Sequence, residues 1–221
     1  MGLKYYVMDL ETTGLNSAYH EITEISIIRA DDRMQLTRMV RCDYPERANL
    51  DALLITKKTL ADLAIGDEKG AVVERIDRFL NEDGLEPNGR CFIGHNVISF
   101  DKKFIHALYE GLGRECPVSF WLDTIHLTQS FLKTADLSTL QIKKTATGKP
   151  SKKLQDACDM LGIEKIAEAH ASKADTRNTY LLWRKLMDIG IDHLPHIKSF
   201  PHCLKEDEDL IDFDQTDLES T

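Results

Sequence analysis

The sequence predicts an α/β fold with a central mixed sheet and helices on both faces. Three strand-like apolar segments come first and lie close enough along the chain to pair as antiparallel neighbours. Amphipathic helical segments then alternate with short apolar strands, an order that is typical of parallel pairing through helical crossovers. The 221 residues, 42% of them hydrophobic, are enough for one domain with a sizeable core.

Five segments are predicted to be strands from their apolar and β-branched residues. The first is rich in tyrosine and valine and begins at Lys4. The second, "EITEISIIRA", alternates well enough between apolar and polar positions to be half-buried. The predicted strands are residues 4–10, 21–30, 34–42, 90–93 and 121–122.

The helices are predicted from apolar residues that recur on one stripe at helical spacing. Gly113 follows one such stripe as a helix-ending residue, and Asp123 is placed to cap the start of another. The predicted helices are short ones within residues 49–63, followed by 68–80, 100–112, 123–132, 152–161 and 173–186.

The net charge of −9 is concentrated at the C-terminus. Residues 204–221 contain eight acidic residues and one lysine, a net charge of −7, which leaves −2 for the rest of the chain. We therefore predict a domain of residues 1–200 and an acidic tail of residues 201–221. The tail also contains apolar residues, and three interpretations are open: a solvated terminus, a docking peptide for a basic protein partner, or an anionic flap that competes with nucleic acid.

The sequence predicts a cytoplasmic protein that does not enter membranes. No segment approaches the roughly 20 apolar residues of a membrane span, and the N-terminus enters a strand without a signal-peptide pattern. The five cysteines are scattered and form no CxxC pair, which favours free thiols in a reducing compartment and argues against a structural zinc site.

The segment "VMDLETTGL" places two carboxylates, Asp9 and Glu11, at the end of the first predicted strand. Residues two apart in a strand share one face, so both side chains can reach a single point. Solvated carboxylates are common at strand ends, and the pair alone favours that ordinary interpretation. Gly14 permits a tight turn, and the backbone N–H groups of Thr12 and Thr13 are expected to face a ligand.

Two later segments add further acids and a histidine. "IGHNVISFDKKF" brings Asp101 to the start of a helix, with His95 and Asn96 in the preceding turn. "AHASKADTRNTY" places His170 five residues before Asp175. Each alone has an ordinary interpretation as a helix-start acid or a capping residue. His170 is also a candidate general base, because imidazole titrates near neutrality.

The four carboxylates predict a metal site only when they are considered as a set. If Asp9, Glu11, Asp101 and Asp175 converged without cations, they would repel each other and shift one another's pKa values. Mg²⁺ prefers carboxylate and water oxygens and keeps positions open for phosphate. Two such ions about 4 Å apart clamp the attacking and leaving oxygens of a phosphoryl displacement. The set therefore predicts phosphodiester cleavage with two Mg²⁺ ions, for which Mn²⁺ is expected to substitute.

In this order, the three segments resemble the motifs of the DEDDh (DnaQ-like) 3′–5′ exonucleases. That family has a ribonuclease H-like fold and includes the proofreading subunits of bacterial replicative polymerases, ribonuclease T and oligoribonuclease. The resemblance runs from about residue 4 to residue 186. A sister branch has tyrosine four residues before the last acid, where this chain has Ala171, so the histidine branch fits better.

The resemblance implies a role for each site residue. Asp9, Glu11 and Asp175 would bind the metal that activates water. Asp9 would bridge to a second metal that Asp101 supports, partly through water. His170 would deprotonate the attacking water.

The resemblance also implies substrate contacts at the end of the first strand. The backbone at Thr12 and Thr13 would hold the 3′-hydroxyl end of the strand, and Leu15 would pack on its base. Further candidates for contact with the last nucleotides are His95, Asn96 and Phe100. An aromatic ring stacks on any base, although Phe100 is first of all a candidate core residue.

A basic segment offers a second contact with the nucleic acid. Residues 141–153, "QIKKTATGKPSKK", contain five lysines and no acid and are predicted to form a flexible loop. Lys143, Lys144 and Lys149 are expected to grip the phosphate backbone. A solvated surface loop is the alternative interpretation.

The predicted function is a 3′–5′ exonuclease that releases nucleoside 5′-monophosphates from single-stranded nucleic acid. DNA is favoured as substrate because the motif spacing resembles that of the proofreading subunits. RNA trimming, in the manner of ribonuclease T or oligoribonuclease, is the alternative. A polymerase-associated module recruited through the acidic tail, or a catalytically inactive binding domain, would be a protein of another class.

Overall fold

The computed structural model describes residues 2–166 and 171–200, and it confirms the predicted α/β fold with a mixed sheet. Within these residues, six strands lie side by side in the order β3-β2-β1-β4-β5-β6. The first three are antiparallel neighbours, β4 and β5 run parallel to β1, and β6 is antiparallel to β5. The strands are β1 (Lys4–Thr12), β2 (Ile22–Arg29), β3 (Gln35–Met39), β4 (Arg90–Gly94), β5 (Phe120–Asp123) and β6 (Ile197–Ser199).

The helices begin and end close to the predicted positions. Asp123 caps α5 as expected, because its side chain accepts a hydrogen bond from the N–H of Ile125. No helix among the described residues is both long and apolar enough to cross a bilayer. The helices are α1 (Leu50–Thr56), α2 (Leu60–Leu63), α3 (Lys69–Asn81), α4 (Asp101–Gly111), α5 (Thr124–Thr134), α6 (Leu154–Met160) and α7 (Ser172–Asp188).

Two hydrophobic cores, one on each face, follow from the alternation of side chains along β1. Tyr6 and Met8 point to the face covered by α3 and α4. Val7 points to the opposite face and packs with apolar residues of α5, α6 and α7. Because strand side chains alternate with a period of two, Asp9 and Glu11 continue the row of Val7 and lie on the face that α7 covers.

The structure differs from the prediction at both edges of the sheet. β3 ends at Met39, and the next residue, Val40, forms an isolated bridge with Asp67 while its N–H still donates to the carbonyl oxygen of Thr23 in β2. β6 was not predicted at all. Its three residues are too few to show a pattern, and its pairing with β5, for example Leu122 with Ile197, joins positions far apart in the sequence.

The basic segment was predicted to be a flexible loop, but it folds into a short hairpin. Lys144 and Pro150 form an isolated antiparallel bridge. The N–H of Thr145 donates to the carbonyl oxygen of Lys149, and the N–H of Ser151 donates to that of Lys143, both at 2.8 Å. Backbone pairing therefore orders a stretch whose composition alone predicted no structure. We refer to residues 143–151 as the basic hairpin.

Candidate active site

Three carboxylates from two distant parts of the chain meet at the end of β1. Asp9 and Glu11 share one face of that strand, and Asp175 lies in the first turn of α7, which packs on the same face. Oxygen atoms of the three side chains all lie within 4.8 Å of one another. Glu11 and Asp175 are each only 8% exposed. Buried carboxylates at this spacing suit a hard divalent cation.

Asp101 lies beside this group as the first residue of α4. It is buried, and its Oδ1 accepts a hydrogen bond from the backbone N–H of Leu10 at 3.1 Å. Leu10 stands between Asp9 and Glu11, so this bond fixes Asp101 against the part of β1 that carries both carboxylates. The convergence of four acids that the sequence predicted is therefore present, with three in one group and the fourth adjacent.

The turn that delivers Asp101 is held by Asp123 at the end of β5. The carboxylate of Asp123 accepts hydrogen bonds from the N–H of Asn96 at 3.0 Å and of Ile98 at 3.3 Å. Gly94 starts the turn, where an added Cβ would lie 2.6 Å from the Cβ of Val97. The close approach at Gly94 and the left-handed backbone of Asn96, with φ 70, allow β4 to turn sharply into α4.

Burial and mutual repulsion raise the pKa values of Asp9, Glu11 and Asp101. The pKa of Asp9 lies well above its usual range because the group is buried near Asp101, Glu11 and Asp175. Burial raises the pKa of Glu11 to about 7, against the opposing charge of Lys58. Burial, with a contribution from Asp123, raises that of Asp101 to about 7. The cluster therefore resists full ionisation unless a cation compensates its charge.

The raised pKa values predict how the stability of the metal-free protein depends on pH. Folding raises the pKa of Glu11 from 4.5 to about 7 and that of Asp101 from 3.8 to about 7, so the folded state binds protons that the unfolded chain has released. This contribution to stability is complete below the unfolded values and is lost as pH rises through about 7. In EDTA, the unfolding temperature should fall between about pH 5 and about pH 8. A temperature that stays level or rises over this range would contradict the assignment.

Several residues near the carboxylates were not predicted from the sequence. Glu24 is the partner of Glu11 in the pairing of β1 with β2, and it binds Lys58 and Ser172. The amide of Gln155, in α6, donates to Oδ1 of Asp175 at 3.0 Å. A charged residue inside the apolar pattern of β2 was an available signal for Glu24. No local pattern points to Lys58 or Gln155.

The prediction that the backbone N–H of Thr13 faces a ligand is wrong. Its N–H donates to the carbonyl oxygen of Glu21 at 2.8 Å, and its hydroxyl and carbonyl oxygens accept from Glu21 and Asn49. The Thr13 N–H therefore joins the two strands and does not face a ligand. The hydroxyl of Thr12 donates to the Gly14 carbonyl oxygen, so Thr12 stays a predicted contact only through its other atoms. Leu15 is 68% exposed and accessible, as its predicted contact requires.

The three candidates near Asp101 have structural contacts of their own. His95 contacts the hydroxyl of Thr124 through Nδ1 at 2.8 Å and the carbonyl oxygen of Lys152 through Nε2 at 2.6 Å. Burial lowers the pKa of His95, which favours the neutral ring. Asn96 forms the turn described above. Phe100 packs against the core of the α3 and α4 face, with its ring 5.0 Å from that of Phe104.

The three candidate lysines lie on the basic hairpin but differ in their surroundings. Lys143 pairs with Asp156 at 2.8 Å and Asp159 at 3.1 Å, which compensates its charge. Lys144 and Lys149 are exposed, and neither forms an ion pair within the described part of the chain.

The remaining predicted features fall outside the described residues. These are His170, the expected general base, and the acidic tail of residues 201–221. Their roles, and the domain boundary at residue 200, stay predictions.

Fold and site together define a class of protein. The mixed sheet, with an acidic cluster at the end of its first strand, has a ribonuclease H-like fold. A family model described as "Exonuclease" (RNase_T) matches residues 6–183, and the chain belongs to this exonuclease family. The expected recognition of this exonuclease family is thereby confirmed.

Among curated proteins, the chain is similar to DNA polymerases III of the PolC type. It is 29% identical to the protein of Staphylococcus saprophyticus over 126 residues, which cover 57% of this chain and 8% of the polymerase. It is 26% identical to that of Staphylococcus haemolyticus over 183 residues, which cover 83% of this chain and 11% of the polymerase. The chain thus corresponds to a small part of these relatives.

Among solved structures, the fold is similar to that of exonuclease I. E. coli exonuclease I in complex with a dT13 oligonucleotide matches with a TM-score of 0.68 and 20% identity, over 84% of this chain and 41% of that one. The enzyme of Methylocaldum szegediense matches with a TM-score of 0.68 and 23% identity, over 85% and 41%. The chain therefore spans less than half of these proteins, and the likeness concerns their fold.

Proposed function

We propose that the protein removes nucleotides one at a time from the 3′ end of single-stranded nucleic acid, preferably DNA, with two Mg²⁺ ions as cofactors. The observation that carries this proposal is the meeting of Asp9, Glu11 and Asp175 within 4.8 Å, beside Asp101. The preference for DNA is supported by the oligonucleotide in the exonuclease I complex and by the polymerase relatives.

The donor set fits divalent cations, because it offers several carboxylate oxygens at one place and the pKa values of Asp9 and Glu11 are raised in the metal-free protein. Asp9, Glu11 and Asp175 would hold the ions, with Asp101 at their side. Bound ions of this kind activate a water molecule and neutralise charge on the phosphate. The amide of Gln155 donates to one oxygen of Asp175 and thereby orients it, as hydrogen bonds to ligating carboxylates do in other metal sites.

Other residues would supply the remaining steps. His170 would take the proton of the attacking water, which a neutral imidazole does well near pH 7. Leu15, exposed at the end of the β1 turn, would pack on the terminal base. The hydrogen bond between His95 and the carbonyl oxygen of Lys152 anchors the end of the basic segment next to the site, where a phosphate backbone would pass.

A digestion assay tests this function. DNA and RNA oligonucleotides with a 5′ label, single- and double-stranded, are incubated with the protein in Mg²⁺ and in EDTA. We expect a ladder that shortens from the 3′ end, disappears in EDTA and forms fastest on single-stranded DNA. Cleavage that persists in EDTA, or internal cuts alone, would overturn the proposal. Faster digestion of RNA would establish the alternative function of RNA trimming.

Lys144 and Lys149 are expected to supply most of the salt-dependent binding of the basic hairpin. Each lysine that neutralises a phosphate of a single strand contributes about −0.7 to the slope of log K against log salt. The double variant Lys144→Gln/Lys149→Gln should therefore flatten this slope by about 1.4. Lys143→Gln is the matched control and should leave the slope nearly unchanged, since its charge is already paired. Equal slopes for the double variant and the wild type would show that the hairpin does not grip the strand.

The acidic tail is proposed to bind a basic protein partner, and the polymerase relatives suggest which kind of partner to test. Truncation after Cys203 should remove this binding and leave digestion of short oligonucleotides unchanged. Faster digestion after truncation would instead favour a flap that competes with nucleic acid. If both partner binding and digestion stay the same, the tail is a solvated terminus.

A further inference from the structure

A lysine pairs with Glu24, an acid that lies beside the acidic cluster. Glu24 on β2 is paired in register with Glu11 on β1, and directly opposed side chains on antiparallel strands have Cβ atoms about 5 Å apart. The carboxylate of Glu24 accepts a hydrogen bond from Nζ of Lys58 at 3.1 Å. The pair is largely enclosed, since the side chains of Lys58 and Glu24 are 11% and 15% exposed.

Local structure explains why Lys58 points inward. Helix α1 ends at Thr56, and the next residue, Lys57, has a left-handed backbone, with φ 55°, that reverses the direction of the chain. The N–H of Lys58 then donates to the carbonyl oxygen of Leu53 at 3.1 Å, which closes the turn. As a result, Lys58 reaches the sheet, whereas its neighbour Lys57 stays exposed.

Glu24 holds this ammonium in a fixed place. One of its oxygens binds Lys58, and the other accepts a hydrogen bond from the hydroxyl of Ser172 at 2.7 Å. Ser172 is the first residue of α7, three residues before Asp175. Glu24, on the strand beside Glu11, therefore forms hydrogen bonds with both the turn after α1 and the start of α7, the helix that carries Asp175.

The sign of the charge gives Lys58 two opposite effects. A positive charge near several buried carboxylates lowers their repulsion and stabilises the fold when no metal is bound. The same charge repels a divalent cation that enters the cluster. We propose that Lys58 is a built-in counter-ion of the active site, which stabilises the metal-free protein and weakens its affinity for divalent cations. This inference rests on the metal-dependent function proposed above.

The test measures Mn²⁺ binding by calorimetry and thermal unfolding in EDTA. Lys58→Met keeps the length of the side chain and removes its charge. We expect the variant to bind Mn²⁺ on the order of tenfold more tightly than the wild type, through the lost repulsion, and to unfold at a lower temperature in EDTA. A purely structural role would also lower the unfolding temperature, but it would not tighten metal binding.

Controls separate the charge from other effects. Lys57→Met makes the same change of net charge at an exposed position and should bind Mn²⁺ like the wild type, as should Lys58→Arg, which keeps the charge. Glu24→Gln should bind Mn²⁺ more weakly. If Lys58→Met does not fold, Lys58→Gln, which retains a donor for Glu24, gives the same readout.

The outcomes distinguish this inference from the proposed function. If the wild type does not bind Mn²⁺, or Asp9→Asn binds it equally well, both are overturned. If the wild type binds Mn²⁺ and Asp9→Asn does not, but neutral variants of Lys58 bind it no more tightly than the wild type, only the role of Lys58 is overturned.

Discussion

Asp9→Asn is expected to lower the rate of 3′-end digestion by about 10³-fold or more, because metal ions contribute several kcal/mol to the barrier of phosphoryl transfer. The substitution keeps the shape of the side chain and removes one charge from the group that Asp9 forms with Glu11 and Asp175. An amide oxygen is a weaker ligand for a hard cation than a carboxylate oxygen.

The same substitution should make the metal-free protein more stable. Burial and the neighbouring carboxylates raise the pKa of Asp9 well above its usual range, so its ionised form is unfavourable in the folded state. In EDTA at pH 8, Asp9→Asn should therefore unfold at a higher temperature than the wild type. Loss of activity together with a gain in stability is the signature of a functional carboxylate and not of misfolding.

A matched control is Asp31→Asn, which changes an exposed aspartate paired with Lys4 beside the N-terminal end of β1. This variant should digest oligonucleotides at the wild-type rate and show no gain in stability. If Asp9→Asn retains more than a tenth of the wild-type rate, the assignment of Asp9 to the metal ions is wrong.

His170→Ala is expected to lower the turnover number by about 10²–10⁴-fold, the usual contribution of a general base. The affinity for Mn²⁺ should stay near that of the wild type, because His170 is assigned to the attacking water and not to the ions. The measurements are single-turnover digestion over a range of pH, in which the limb that reports imidazole deprotonation should disappear, and calorimetric titration with Mn²⁺.

The control for His170→Ala is His126→Ala, which changes a partly buried histidine of α5 and should alter neither measurement. Full activity in His170→Ala would refute the role of His170. A large loss of Mn²⁺ affinity would instead assign this histidine to the metal site.

Much of the fold follows from local patterns in the sequence. Apolar alternation identified β1 and β2, helical stripes identified α3, α4 and α7, and Asp123 was identified as a cap from its residue type and position. These features depend on interactions within a few residues, which composition and spacing report directly. β6 and the basic hairpin were not predicted, because short backbone pairings produce almost no pattern in the residue composition.

Recognition of the site also came from the sequence, through the order and spacing of Asp9, Glu11, Asp101, His170 and Asp175. The structure adds that the four carboxylates lie close together. Because side chains alternate along β1, Asp9 and Glu11 lie on the face where α7 brings Asp175. The sequence could not show that the N–H of Thr13 donates to the carbonyl oxygen of Glu21, because that hydrogen bond depends on how the chain turns after β1.

What the sequence determined by itself is the family, because the order and spacing of its residue types carry the family's motifs. Only the tertiary structure decided how charged side chains are distributed around the candidate site. It brings Glu24 beside Glu11, turns Lys58 inward to pair with Glu24 and leaves Lys144 and Lys149 exposed while Lys143 is paired. Charge interactions depend on distance and burial, and both are set by contacts between residues far apart in the chain.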